Sequence, residues 1–271
     1  MKDILLYIPT RNKPEFLEKT LETIFSTAKD QNCFDILCHV DLDQIDLYKK
    51  IIDKYPNIIW RHLEFCQDSW FSMMKDHHDF INKNNYYFHW NISDDSVKNN
   101  LNDHWDDFII KTKKTFDDDL FALYTNCSIW NRDKNTHENC YYIHNSDTLN
   151  ANLILNKNEM LPIWTYKFME FMWEIMKTGN YTSSRELITA SIIYKLYKDF
   201  NLNRHVFVNI VYTDMSKIEG VDDRSALVKN KDGSSRDDSF FNLVKNNFND
   251  IMPTVKNMFY YIQEFKENKS L

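Results

Sequence analysis

The first half of the chain alternates short apolar runs with amphipathic segments. The apolar runs have the length and residue types of strands, at residues 3–8, 34–40, 58–63, 86–92 and 120–125. Between them, apolar residues recur at helical spacing, at residues 14–26, 47–55, 69–82 and 103–115. Such alternation is typical of βαβ units. The pattern therefore predicts an α/β fold with a mainly parallel central sheet.

The second half of the chain is less regular. Residues 126–158 are polar and are expected to form loops with one or two hairpins, whereas residues 213–239 have the composition of a long surface loop. The remaining segments predict helices at residues 161–176, 184–200 and 240–266, and a strand at residues 205–211. Because no linker or internal repeat interrupts the chain, we expect a single domain.

The scarcity of glycine restricts how a phosphorylated ligand could be bound. The chain contains only Gly179, Gly220 and Gly233. A dinucleotide-binding G-x-G-x-x-G turn and a Walker phosphate loop both need clustered glycines, so that the backbone can approach phosphate. Neither motif exists here. A phosphorylated ligand would have to be held by side chains and a metal ion.

Charge, cysteine content and hydropathy exclude several other classes. The formal net charge is −7 and no Lys/Arg-rich run occurs, which argues against a nucleic-acid partner. The five cysteines are scattered and form no C-x-x-C pair, which favours a reducing compartment over a zinc site. The first apolar run is too short for a signal peptide, and no stretch approaches the ~20 apolar residues of a membrane span. We therefore expect a cytoplasmic protein without an integral membrane segment.

Polar clusters follow three of the predicted strands, at residues 10–12, 41–43 and 93–95. In an open parallel sheet, ligands bind in the crevice beyond the carboxyl ends of the strands. Neighbouring carboxylates repel each other unless a cation compensates their charge, and hard oxygen ligands suit Mg²⁺ or Mn²⁺. Aspartates at strand ends are also common in turns and helix caps. Three clusters at corresponding ends favour a cation-dependent ligand site.

Three segments together resemble the family 2-type glycosyltransferases with a GT-A fold. They are residues 7–17 (YIPTRNKPEFL), the D-L-D at residues 41–43, and residues 88–95 (FHWNISDD) followed by Trp105-Asp106. The resemblance covers roughly residues 3–125. It implies a single GT-A-like, nucleotide-diphospho-sugar transferase domain with a mixed, mostly parallel central sheet flanked by helices. Residues 1–125 would form the donor-binding half, and residues 126–271 the acceptor-binding half with the C-terminal helices.

The same resemblance implies which residues hold the donor nucleotide. Pro9, Thr10 and Arg11 would line the nucleotide pocket. Asp41 or Asp43 would accept hydrogen bonds from the base or the ribose. These residues follow the first and second predicted strands.

The predicted metal site allows two interpretations. Asp95 would be the main ligand of Mn²⁺ or Mg²⁺, with Asp94 touching the ribose or the metal, and we favour this pair because it follows the fourth strand. The literal D-x-D motif, however, is Asp41-Leu42-Asp43, while the favoured position reads Ser-Asp-Asp. Asp214, after the last predicted strand, could replace the late histidine that the family often places near the metal.

Two further residues complete the predicted site. Lys75 lies on a predicted helix where the resembled family places groups near the donor, so it could contact phosphate or simply face solvent. Glu186 follows Ser183-Ser184-Arg185 at the start of a predicted helix and could act as the base in an inverting transfer. A glutamate at that position also complements the helix dipole without any chemical role.

The expected function is a metal-assisted, inverting transfer of a sugar from a nucleotide-diphosphate donor, by analogy a UDP-sugar, to a glycan or small hydroxyl acceptor. A sugar nucleotidyltransferase also uses paired carboxylates and Mg²⁺, but it would ordinarily carry a Gly-rich or Lys-containing signature in the turn after the first strand, and this turn has neither glycine nor a signature of that kind. A catalytically degenerate GT-A-like module that binds a nucleotide or glycan is the non-enzymatic alternative, which the departure at Ser93 from the family's metal motif leaves open.

Overall fold

Four parallel strands from the first half of the chain form one side of the central sheet. The computed structural model describes residues 2–63, 75–81, 85–92, 94, 101–131, 136–139, 162–176 and 204–214. The four strands are β1 (Ile4–Thr10), β2 (Phe34–Asp41), β3 (Ile59–Leu63) and β4 (Phe88–Asn91). Their spatial order is β3-β2-β1-β4. The chain therefore moves outwards from β1 to β3 and then returns to the other side of β1.

The other side of the sheet is mixed. Its strands are β5 (Ala122–Asn131), β6 (Thr136–Asn139), β7 (Ile163–Thr165) and β8 (His205–Asp214). The short β7 lies between β4 and β5 and is antiparallel to both, whereas β8 runs parallel to β5. β5 and β6 form an antiparallel hairpin within the region expected to contain one. The predicted α/β fold with a mixed sheet is confirmed.

Helices cover the sheet. They are α1 (Pro14–Thr27), a 3₁₀ turn (Leu42–Gln44), α2 (Ile45–Lys54), α3 (Trp105–Ile110) and α4 (Tyr166–Met176), and residues 75–81 are also helical. α1 begins at Pro14, whose fixed φ and missing N–H suit a first helical position. Its buried face carries Leu17, Leu21 and Ile24 at the spacing seen in the sequence. Among the described helices, none combines the length and hydropathy needed to cross a membrane.

β1 is almost entirely buried because it lies between β2 and β4 and is covered on both faces. Residues 4–8 have no exposed surface, and Thr10 is also buried. A strand covered on both faces reads as a continuous apolar run rather than an alternating one. This explains why β1 was recognisable in the sequence as an uninterrupted hydrophobic segment.

Pro9 lies within β1, although the sequence predicted that the strand would stop at this residue. Tyr7 accepts a hydrogen bond from the N–H of Ile92 at 2.9 Å, so alternate residues of β1 direct their backbone groups towards β4. Pro9 has the same direction, but the pairing with β4 ends at Tyr7. The missing N–H of Pro9 therefore interrupts no ladder, and β1 continues to Thr10 against β2.

The predicted helix at residues 161–176 was wrong at its start. Ile163 and Trp164 are fully buried and belong to β7, which fills the gap between β4 and β5; the helix α4 begins only at Tyr166. A continuous apolar segment does not reveal locally where the sheet needs another strand. The predicted helices at residues 184–200 and 240–266 lie outside the described residues.

The Trp105-Asp106 segment has a structural role at the start of α3. The two carboxylate oxygens of Asp106 accept the backbone N–H groups of Lys29 and Asp30, at 2.8 and 2.9 Å. The Trp105 indole N–H donates to the carbonyl of Ile24 at 3.2 Å. Asp106 is 1% exposed. The segment therefore ties α3 to the end of α1 and to the loop that leads into β2.

We expect stability to fall at mildly acid pH, in part because of His89. This residue is fully buried on β4, and burial lowers its pKa from 6.5 to about 3. The folded protein keeps His89 neutral, whereas the unfolded chain binds a proton as the pH falls below 6.5. The stabilisation is thus complete above pH 6.5 and is lost progressively towards pH 3. Between pH 7 and 5.5, one such histidine lowers the unfolding free energy by about 1 kcal/mol.

Urea unfolding of the wild type and of His89→Gln at these two pH values measures this contribution. The variant should lose about 1 kcal/mol less between pH 7 and 5.5 than the wild type. His39, whose pKa is also lowered by burial, is present in both proteins and cancels in the comparison. An identical loss in both proteins would show that His89 does not contribute.

Candidate active site

The carboxyl ends of β1, β2 and β4 meet at the point where the strand order reverses. Thr10 is the last residue of β1, Asp41 is the last residue of β2, and Asp94 follows β4 by three positions. In open α/β sheets, ligands bind in the crevice beyond the strand ends at such a point. The predicted convergence of the first, second and fourth strands is present in the structure.

Thr10 and Asp94 are in direct contact at this crevice. The Thr10 hydroxyl donates to Asp94 Oδ2 at 2.7 Å, and the Thr20 hydroxyl of α1 donates to the Asp94 carbonyl at 2.7 Å. Asp94 is 6% exposed and Thr10 is 5% exposed. These side-chain and backbone contacts therefore hold Asp94 in a fixed position relative to β1 and α1.

Asp41 and Asp43 form an acidic cluster with Arg11, which directly follows Thr10 in the chain. One guanidinium nitrogen of Arg11 lies 2.5 Å from Asp41 Oδ2 and 2.8 Å from Asp43 Oδ1, and the other lies 2.7 Å from Asp43 Oδ2. The Asp43 hydrogen bonds raise the pKa of Arg11, and Arg11 in turn lowers the pKa of Asp43. Asp41 is buried, whereas Asp43 is exposed. Both carboxylates are thus compensated by a side-chain cation.

This arrangement bears on which acidic pair could hold a metal ion. A divalent cation at Asp41 and Asp43 would compete with the guanidinium of Arg11 and be repelled by it. His39 Nε2 lies 3.7 Å from Asp41 Oδ1. Because burial lowers the pKa of His39, its ring favours the neutral form and Arg11 is the cation that compensates Asp41. Asp94 and the Thr10 hydroxyl instead offer hard oxygen atoms, which suit Mg²⁺ or Mn²⁺. The oxygen donors therefore fit a metal better at the β4 end of the crevice.

The other predicted site residues are not all brought to this crevice. Lys75 lies at the surface on the helical segment 75–81, where its ammonium pairs with Asp79 at 2.5 Å. Asp214 ends β8, which is three strands from β4 and therefore roughly 14 Å away across the sheet. Asp95 and Glu186 lie outside the described residues. Within the described ranges, no group of three or more His, Cys, Asp or Glu side chains could hold a metal ion.

Sequence reasoning missed two buried polar side chains near the crevice. Tyr48 on α2 has no exposed surface, and its hydroxyl lies 2.7 Å from the Thr10 hydroxyl. Asn91, at the end of β4, is 1% exposed, and its carboxamide has no hydrogen-bond partner in the described part of the chain. A tyrosine on the apolar face of a helix resembles a core residue. The one available signal for Asn91 was an amide at the end of an otherwise apolar strand.

No protein-family model matches this chain, and no curated protein matches it in sequence. Among solved structures, that of S. aureus TarS 1–349 matches with a TM-score of 0.50 and 14% sequence identity, over 80% of this chain and 62% of that chain. The chain has a GT-A-like fold. In this first match, it spans less than two thirds of the TarS 1–349 chain.

Two complexes of the same protein also match this chain. The structure of TarS 1–349 with UDP has a TM-score of 0.49 and 14% identity, covering 92% of this chain and 74% of that chain. The structure with UDP-GlcNAc has a TM-score of 0.46 and 14% identity, covering 79% and 58%, respectively. At these identities the likeness concerns the fold.

Proposed function

We propose that this chain is a glycosyltransferase that takes a sugar from a nucleotide-diphosphate donor and transfers it to a hydroxyl acceptor with the help of Mn²⁺ or Mg²⁺. The observation that carries the proposal is the contact between Thr10 and Asp94 at the reversal of strand order, beside the Arg11–Asp41–Asp43 cluster. A GT-A-like fold provides the context, but the fold alone does not specify a reaction.

The crevice has the chemistry that a nucleotide diphosphate needs in a chain with few glycines. Asp94, together with Asp95, would hold the cation, and the cation would stabilise the negative charge of the departing nucleoside diphosphate. Arg11 is close enough to Asp41 and Asp43 to orient both carboxylates. The exposed Asp43 carboxylate would accept hydrogen bonds from the base or ribose, and Pro9 would line the same pocket.

The chemical step is a displacement at the anomeric carbon. Glu186 would accept the proton of the acceptor hydroxyl while its oxygen forms the new glycosidic bond. The bond from the anomeric carbon to the donor phosphate oxygen breaks, and the nucleoside diphosphate leaves with its electron pair. Attack from the side opposite the leaving group inverts the configuration. Lys75 would contact phosphate only after giving up its ion pair with Asp79.

Calorimetry with UDP, with and without Mn²⁺, tests the binding half of the proposal. UDP and UDP-GlcNAc are the first ligands to test because TarS 1–349 was crystallised with both. We expect UDP to bind more tightly when Mn²⁺ is present. Failure to bind any nucleoside diphosphate, with either metal, would contradict the proposal.

Release of UDP from a panel of UDP-sugars, with glycan and small hydroxyl acceptors, tests the chemical half. Turnover that depends on the acceptor supports a transferase. Metal-dependent binding without turnover of any donor would instead indicate the degenerate binding module. Formation of a UDP-sugar from UTP and a sugar 1-phosphate would indicate the nucleotidyltransferase.

A further inference from the structure

We propose that Tyr48 is a positioning residue of the candidate active site, which holds the Asp94 carboxylate through Thr10. This inference rests on the proposed function and extends it to α2, an element that the sequence did not connect with the site. The basis is a chain of three hydrogen bonds that links α2, the turn after β1 and the residue after β4.

The donor and the acceptor of each of these three hydrogen bonds can be assigned. The Lys13 backbone N–H donates to the Tyr48 hydroxyl oxygen at 2.9 Å. The Thr10 hydroxyl donates its only proton to Asp94 Oδ2 at 2.7 Å. Because that proton is already used, the 2.7 Å contact between Tyr48 and Thr10 requires the Tyr48 hydroxyl to donate. All the donors thus point towards the carboxylate of Asp94.

Burial makes this hydrogen-bond chain effective. Tyr48 is fully buried, and Thr10 and Asp94 are nearly so. Hydrogen bonds in a low-dielectric environment are stronger and polarise one another. Burial also raises the pKa of Tyr48, so its hydroxyl keeps the proton that it donates to Thr10. The arrangement fixes the rotation of the Thr10 hydroxyl, and with it one oxygen of Asp94.

Tyr48 also closes the turn that carries Arg11. Its hydroxyl contacts Thr10 at one end of the turn and Lys13 at the other. Between them, Asn12 has a φ of 57°, in the left-handed region, which non-glycine residues seldom occupy. A single hydroxyl group therefore stabilises both the turn after β1 and the carboxylate after β4. No other element of the described site makes both contacts.

Tyr48→Phe removes this hydroxyl and keeps the buried ring. We expect the variant to fold, and we expect the gain in UDP affinity on adding Mn²⁺ to fall by about 10-fold or more, as for residues that orient metal ligands. Calorimetry with UDP, with and without Mn²⁺, measures that gain, and thermal unfolding measures stability. The matched control is Tyr55→Phe, which removes a hydroxyl just after the end of α2 and keeps the ring stacked on Phe25.

A double-mutant cycle separates positioning from a general packing effect. If Tyr48 acts through Thr10, Tyr48→Phe should change the Mn²⁺ gain little in a Thr10→Val background. Equal Mn²⁺ gains in Tyr48→Phe and Tyr55→Phe, or additive effects in the cycle, overturn this proposal while leaving the proposed function intact. If the wild type shows no Mn²⁺-dependent binding of UDP, the proposed function fails, and the role of Tyr48 fails with it.

Discussion

Asp94→Asn is expected to weaken UDP binding in the presence of Mn²⁺ by about 100-fold, and turnover of a UDP-sugar by at least as much. Removing one member of a buried charge interaction typically costs about 2–5 kcal/mol, and 100-fold corresponds to roughly 3 kcal/mol. Asparagine has nearly the same size as aspartate, and its carbonyl can still accept the Thr10 hydroxyl. The substitution therefore removes the negative charge while preserving the described contacts of the side chain and the backbone.

Calorimetry and UDP-release assays on purified Asp94→Asn provide the measurement. Asp46→Asn is the matched control, because Asp46 is an exposed carboxylate in the first turn of α2 and has no predicted role in binding. Its effect should stay within about threefold, since exposed charges are screened by solvent and salt. If both variants bound UDP and Mn²⁺ as the wild type does, no cation would be held at Asp94.

Asp106→Ala is expected to lower the unfolding free energy by about 3–5 kcal/mol. The substitution leaves the backbone N–H groups of Lys29 and Asp30 without their buried acceptor. Hydrogen bonds to a charged group contribute about 1.5–3 kcal/mol each, and Asp106 accepts two of them. The loop between α1 and β2 should consequently lose its attachment to α3.

Urea unfolding of Asp106→Ala measures this loss, and Asp107→Ala, at the next position of the same helix, is the control. The Asp107 carboxylate lies 3.1 Å from the Lys29 ammonium and 2.6 Å from that of Lys111, near the surface. Exposed ion pairs of this kind contribute about 1 kcal/mol or less. Similar losses in the two variants would show that the hydrogen bonds accepted by the buried Asp106 carboxylate contribute no more than the ion pairs of Asp107.

Most elements of the first half could be predicted because local signals lie close to their boundaries, although β1 continues past Pro9. Pro14 marks the start of α1, and the apolar runs of β1 and β2 are strands that tertiary packing leaves unchanged. β7 could not be predicted, because Ile163 and Trp164 take strand conformation only through their pairing with β4 and β5. Local periodicity contains no information about a gap elsewhere in the sheet.

The candidate site shows the same division between local and tertiary information. The strand ends placed Thr10 and Asp94 together, because parallel strands bring their carboxyl ends to one edge. The sequence left open whether Asp41 and Asp43 or Asp94 and Asp95 bind metal. Because Arg11 already binds Asp41 and Asp43, its contacts favour the second pair. The sequence could not show this, because the contacts depend on side-chain directions that spacing does not encode. The role of Tyr48 depends on packing of the same kind.

Pro9 has a consequence for how a ligand could lie at the end of β1. Within the described residues, the pairing of β1 with β4 ends at Tyr7, and Pro9, which faces the same way, has a carbonyl but no amide proton. The partly negative carbonyl oxygen of Pro9 would repel a phosphate oxygen, whereas it could accept a hydrogen bond from a hydroxyl or from a ring N–H of a nucleobase. If the proposed nucleotide binds here, the backbone at this position would favour its uncharged part and leave the anionic part to the cation.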